Sequence, residues 1–150
     1  MHEQVMRMIE TLETPGNRLR TGLLLVPPSR LAEAGDIAAR LLADVEDIAQ
    51  RALDAVPPGS RYVNLSATRI EEWLNDIVEK TTGQQRALVV HLDLLLAGVP
   101  QSERNEVWQY VRHGMPHRRR VLIVAMPEGA EHLLPRVSEW EEAGRCARWE

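Results

Sequence analysis

The chain has 150 residues, 44% of them hydrophobic, with a formal net charge of −4 and one cysteine. That length suits a single domain spanning 1–150, able to bury ~70% of its unfolded surface. The negative charge argues against coating nucleic acid with the whole surface. Lone Cys146 excludes an internal disulfide and makes a reducing cytoplasm the expected location. No apolar run approaches the ~20 residues of a membrane span, and Met1-His2-Glu3-Gln4 lacks the basic and apolar stretches of a signal peptide.

Val5, Met8, Ile9 and Leu12 recur at helical spacing and predict a leading helix within residues 1–15, ended by Pro15-Gly16-Asn17. Leu23-Leu24-Leu25-Val26 reads as a first, buried parallel strand. From Leu31 to Val56 the apolar spacing predicts one long amphipathic helix, with Asp47 and Arg51 paired on its outer side and Pro57-Pro58-Gly59 stopping it. A second strand is expected over Arg61 to Leu65. Thr68 and Glu71 then fit a capping box opening a helix with the stripe Ile70, Trp73, Leu74, Ile77, Val78.

The third strand is expected over Ala87 to Leu92, and a helix capped by Ser102 follows it. The fourth strand runs from Val121 to Ala125, a last helix opens at Pro127-Glu128-Gly129, and Cys146 to Trp149 is a candidate fifth strand. Strands alternating with helices predict an α/β three-layer sandwich around a mostly parallel five-stranded sheet.

Ligands of open α/β sheets bind beyond the carboxyl ends of the strands. That rule selects Ser29, Arg30, Ser66, Thr68, Arg69, His91, Asp93 and Glu128 as a ligand or partner rim, Ser29, Arg30, Ser66, Arg69 and Asp93 foremost. The competing reading makes Ser66 and Thr68 helix caps and leaves the charged members solvated. The strand–loop–helix frame at Leu23 to Leu31 is that of a P-loop, yet no Gly-Lys-Ser/Thr follows, and the only lysine is the distant Lys80. Val90 or His91 stands where a hydrolysing enzyme ends its third strand in a magnesium-holding Asp, and Asp93 comes late. ATP and magnesium are therefore disfavoured, and no catalytic or metal residue is assigned. His113 and His117 are separated by Gly114 and Pro116, which break the helical i,i+4 geometry a metal would need.

Arg112, Arg118, Arg119 and Arg120 form a basic cluster on the opposite rim, at the amino end of the fourth strand. It suits contact with DNA, RNA or an acidic partner, or a solvated loop. Trp149 fits either a partner patch or the core of the last strand.

Leu23 to Pro28, Tyr62-Val63-Asn64-Leu65-Ser66, His91 to Leu95 and Arg119 to Ala125 resemble the strand-bearing segments of P-loop ATPase cores of the additional-strand, AAA-like type. More narrowly, they resemble the small P-loop protein of BREX bacteriophage-exclusion systems. The family's Walker A glycines, lysine and Ser/Thr are absent here, its Walker B Asp is displaced, and Met126 replaces a polar sensor residue. The resemblance implies a degenerate, non-hydrolysing P-loop fold serving as a binding or scaffold subunit in antiviral defence. Its implied partners are other defence-system proteins, such as a larger ATPase or methyltransferase. Two alternatives stand beside that expectation. One is a nucleotide-binding ATPase or switch in which Ser29, Arg30 and Arg69 replace the P-loop lysine and Asp93 meets magnesium. The other is a nucleic-acid accessory protein acting through the arginine cluster.

Overall fold

The computed structural model describes residues 3–60, 64–115 and 119–150. Twelve elements position the site: α1 (Glu3–Glu13), β1 (Thr21–Val26), α2 (Ala34–Arg40), β2 (Ala43–Asp47), α3 (Ile48–Asp54), α4 (Ala67–Glu79), β3 (Arg86–Val90), α5 (Leu92–Leu96), α6 (Gln101–Gln109), β4 (Val121–Pro127), α7 (Val137–Glu142) and β5 (Cys146–Arg148). A 3-10 helix, Pro28–Glu33, joins β1 to α2, and a π-helical turn, Tyr110–Gly114, extends α6. The five strands pair in parallel throughout, in the order β2-β3-β4-β1-β5.

Side chains alternate across a strand, so each central strand feeds two cores. In β1, Leu23 and Leu25 join Ile48, Ile70, Leu74, Ile77, Trp108 and Trp140 from α3, α4, α6 and α7. Leu24 and Val26 face the other way, onto Val5, Ile9 and Leu12 of α1 and Ile37 and Leu41 of the α2 segment. Helices therefore cover both faces of the sheet, and the α/β fold class expected from the sequence is the one observed. Gly22 sits where α1 crosses β1. An added Cβ there would come within 2.8 Å of Leu12 Cδ1 and 3.0 Å of Met8 Sδ, so any larger residue would push those α1 side chains aside.

The second strand departs from expectation. Residues 61–63 lie outside the described residues, and Asn64 and Leu65 form no strand. The strand is instead Ala43–Asp47, inside the stretch read as one long helix. The apolar stripe from Leu31 to Val56 belongs to two layers. Ile37 and Leu41 enter the α1 side of the sheet, whereas Ile48 and Ala52 enter the other. Leu42, at φ 52°, turns the chain out of α2 so that β2 can run along the sheet edge between them. Arg51 accordingly pairs with Glu46 at 3.2 Å rather than with Asp47.

Local capping also differs in detail. Ser66 caps α4, its Oγ accepting the Arg69 N–H at 3.2 Å, so Thr68 is not the cap. Pro100, not Ser102, precedes α6. After β4 the chain makes a 3-10 turn, Glu131–Leu133, before α7, rather than a helix opening at Pro127. Trp149 is 3% exposed and belongs to the α1-side core, which removes it as a partner patch.

Candidate functional site

The carboxyl ends of β1, β3 and β4 border a crevice of about 170 Å³, lined by Val26, Leu31, Ala32, Ala34, Ile37, Leu88, Val90, His91, Asp93 and Ala125. Its walls are apolar because the segment after β1 turns its own side chains inward. Pro27 and Pro28 have no N–H, and the Arg30 N–H donates to the Pro27 carbonyl at 2.8 Å. The 3-10 helix then delivers Leu31 to the crevice, followed by Ala34 and Ile37 of α2. A phosphate cradle needs successive backbone N–H groups pointing at one spot and a cation among them. This loop has two prolines without N–H groups, and its one cation is Arg30. Arg30 is turned to Glu33 at 3.8 Å, with both side chains about half exposed.

The polar end of the crevice comes from β3. His91 follows the last strand residue at φ 67°, a left-handed conformation that is uncommon for any residue but glycine. The turn aims His91 Nδ1 at Asp47 Oδ2, 3.0 Å away at the end of neighbouring β2. Asp47 also caps α3, its Oδ1 accepting the Gln50 N–H at 3.1 Å. Burial works against the Asp47 charge, but the His91 hydrogen bond and the N–H groups of Gln50 and Ala49 prevail and hold its carboxyl below the usual value. With Nδ1 committed to Asp47, Nε2 is the ring nitrogen left for a crevice occupant.

The remaining rim residues do not converge on that crevice. Ser29 is exposed on the 3-10 helix, and Thr68 is exposed on α4. Arg69 lies over the Trp73 ring at 5.4 Å and lines a separate hollow with Ala52, Val56, Pro57 and Asn64. Glu128 pairs with Arg148 at 2.9 Å. Of the rim chosen from the sequence, His91 and Asp93 alone line the apolar crevice.

The basic cluster is likewise divided. Arg118 and His117 lie outside the described residues. Arg119 is 64% exposed, 4.0 Å from Glu79, and lines a hollow with Lys80, Thr81 to Gln85 and the edge of Arg120. Arg120 is 2% exposed and spent inside the fold. It donates to the carbonyls of Gln84 and Ile77, each at 3.1 Å, and to Asp44 Oδ2 at 2.9 Å, with Glu46 at 3.7 Å. Its charge is therefore answered mainly inside the fold. Lys80 meets the same Glu46 at 3.3 Å. Arg112 pairs with Glu139 of α7 and lines a cleft of about 370 Å³ with Asn105, Trp108, Gln109, Pro135, Arg136 and Trp140.

Two features escaped the sequence reading. Asp47 is not on a helix exterior but caps α3, and Asp47-Ile48-Ala49-Gln50 carries that signal in the sequence. Arg145 carries no motif, and only the fold brings it against Thr21, Arg112 and Trp140. Cys146 is buried, and burial, aided by Glu141, pushes its thiol up to about 11. Among the described residues no three His, Cys, Asp or Glu side chains gather as a metal site. Among the described residues no helix is long and apolar enough to cross a membrane. Neither a family model, nor a curated protein, nor a solved structure matches the chain.

Proposed function

We propose that this chain is a non-hydrolysing, P-loop-like subunit that acts by binding within a cytoplasmic bacterial phage-defence assembly, beside a larger ATPase or methyltransferase. The observation that carries the non-hydrolysing part is the apolar plug after β1. Leu31, Ala34 and Ile37 occupy the crevice wall where a nucleotide loop presents donors, and Pro27 and Pro28 remove two of those donors outright. The kinship is supported by topology, because β4 lies between β1 and β3, the arrangement an additional-strand core requires. The defence role rests on the resemblance of the strand segments.

Calorimetric titration with ATP, with and without magnesium, tests the first part. The expected result is no saturable heat. Magnesium-dependent binding that disappears in Arg30→Ala would instead establish the nucleotide-switch alternative. Affinity purification from cells expressing the neighbouring genes tests the second part. A stoichiometric complex with an ATPase or methyltransferase is expected, and recovery of the chain alone refutes the scaffold role.

A further inference from the structure

The cleft between α6 and α7 is built around more positive charge than the chain itself answers. Arg145, directly before β5, is 4% exposed. Its Nε donates to the Thr21 carbonyl at 2.8 Å, and its Nη2 donates to Thr21 Oγ1 and, at 3.1 Å, to the Arg112 carbonyl. Its guanidinium lies over the Trp140 ring at 4.6 Å. Among the described residues no carboxylate lies within ion-pair distance of it. Its neighbour across that hydrogen bond is another arginine. A buried cation costs several kcal/mol unless it is paired, and one aromatic face returns only part of that. Burial, with Arg112 adding to it, pulls the Arg145 guanidinium down to about 10.

The walls repeat the imbalance. Glu139 is the only carboxylate lining the cleft, and it serves two arginines. It pairs closely with Arg112 and meets Arg136 at 3.9 Å, where the Arg136 side chain is 85% exposed. Two lining arginines therefore share one carboxylate, and Arg145, behind the Trp140 ring, adds a third positive charge with none, in a protein whose overall charge is negative. The backbone here is also unusual. The π-helical turn Tyr110–Gly114 widens the end of α6, carries Arg112, and aims the Val111 carbonyl at Thr21 Oγ1 at 2.6 Å. Such turns recur at functional sites. The floor is rigid, since Trp108 Nε1 donates to the Leu133 carbonyl at 2.9 Å and its ring meets Trp140 edge-on at 6.1 Å.

We propose that this cleft binds a small oxyanion, a phosphate or carboxylate group carried on a metabolite-sized molecule. Arg136 is the entry contact, because its long ion pair with Glu139 exchanges readily for a bidentate oxyanion. Arg112 lines the cleft beside it, buried Arg145 adds positive charge from behind the Trp140 ring, and Asn105 and Gln109 on the rim offer amides to the rest of the ligand. A volume of about 370 Å³ falls in the range of small-molecule sites. A nucleic-acid backbone fits less well. It needs a stripe of exposed cations, whereas Arg119 lines a different hollow and Arg120 is buried.

Trp108 and Trp140 supply the readout, as intrinsic fluorescence titrated at constant ionic strength with inorganic phosphate, with citrate and with a short DNA duplex, sodium chloride serving as the control. The expected result is a saturable change with phosphate or citrate, the tighter of the two identifying the headgroup. In Arg136→Ala, an exposed substitution checked for folding by circular dichroism, apparent affinity should fall roughly fivefold or more, and in Arg119→Ala it should not change. Either of three results overturns the proposal: no response beyond that of chloride, equal affinity in Arg136→Ala, or a response to the duplex alone.

Discussion

Replacing Arg120 with alanine separates its structural role from the surface role its sequence context suggests. The substitution removes a buried fork that serves the carbonyls of Ile77 and Gln84 and the carboxylate of Asp44, and it removes one of three cations near Glu46. Breaking one partner out of a buried ionic cluster costs ~3–5 kcal/mol. Here the carboxylates keep other partners: Asp44 still accepts the Gln84 N–H, and Glu46 still holds Arg51 and Lys80. The lower part of that range, ~3 kcal/mol, is therefore expected, a large share of the ~5–15 kcal/mol that stabilises an ordinary domain. With a urea m-value of about 2 kcal/mol/M, the unfolding midpoint should fall by about 1.5 M. Arg120→Lys keeps a charge but not the fork, so its loss should be smaller yet measurable. A midpoint within about 0.3 M of the wild type in Arg120→Ala would refute the burial argument and return Arg120 to the surface cluster.

Glu13 and Arg86 tie α1 to the start of β3 through paired bonds of 2.8 and 2.7 Å, and the Arg86 hydrogen bond holds the Glu13 carboxyl below its ordinary value despite partial burial. A depressed carboxyl contributes stability above its unfolded pKa and loses it as pH falls through the folded one. Glu13→Gln should therefore cost ~1–2 kcal/mol at neutral pH and converge with the wild type under acid, as followed by urea midpoints across pH; a constant difference would refute the linkage. Leu42 occupies the left-handed region with its side chain 66% exposed. Leu42→Gly should stabilise by up to ~1 kcal/mol, and a lower melting temperature would refute the strain. Cys146, with its thiol near 11 and buried, should present about a thousandth of its population as thiolate at pH 8. Labelling by a thiol reagent should be slow in the native protein and fast in urea, and equal rates would show that the thiol is accessible.

What the sequence conveyed depended on how many layers a segment serves. β1, β3 and β4 are buried on both faces, so their runs are continuously apolar and were legible as strands. α1 and α4 each bury one stripe against one core and were equally legible. β2 was hidden because it is an edge strand whose carboxylates are answered from far along the chain, by Lys80 and Arg120. Nothing within Ala43–Asp47 announces those partners, and the flanking leucines and isoleucines imitate helical spacing by feeding opposite sides of the sheet.

The same reasoning explains the divided site. A run of arginines near one strand looks like a single patch, but successive residues entering a sheet diverge. Arg119 stays outside while Arg120, one residue on, reaches back across β3 to Asp44. Meanwhile Arg112 and Arg145, 33 residues apart, become neighbours through one hydrogen bond. Charge that is contiguous in sequence was dispersed by the fold, and charge scattered in sequence was concentrated by it. The turn after β1 follows this logic too. A turn with two prolines packs Leu31 against the strand ends, and that packing makes the crevice wall apolar. The excess of positive charge is left at the opposite end of the sheet, in the tryptophan-floored cleft.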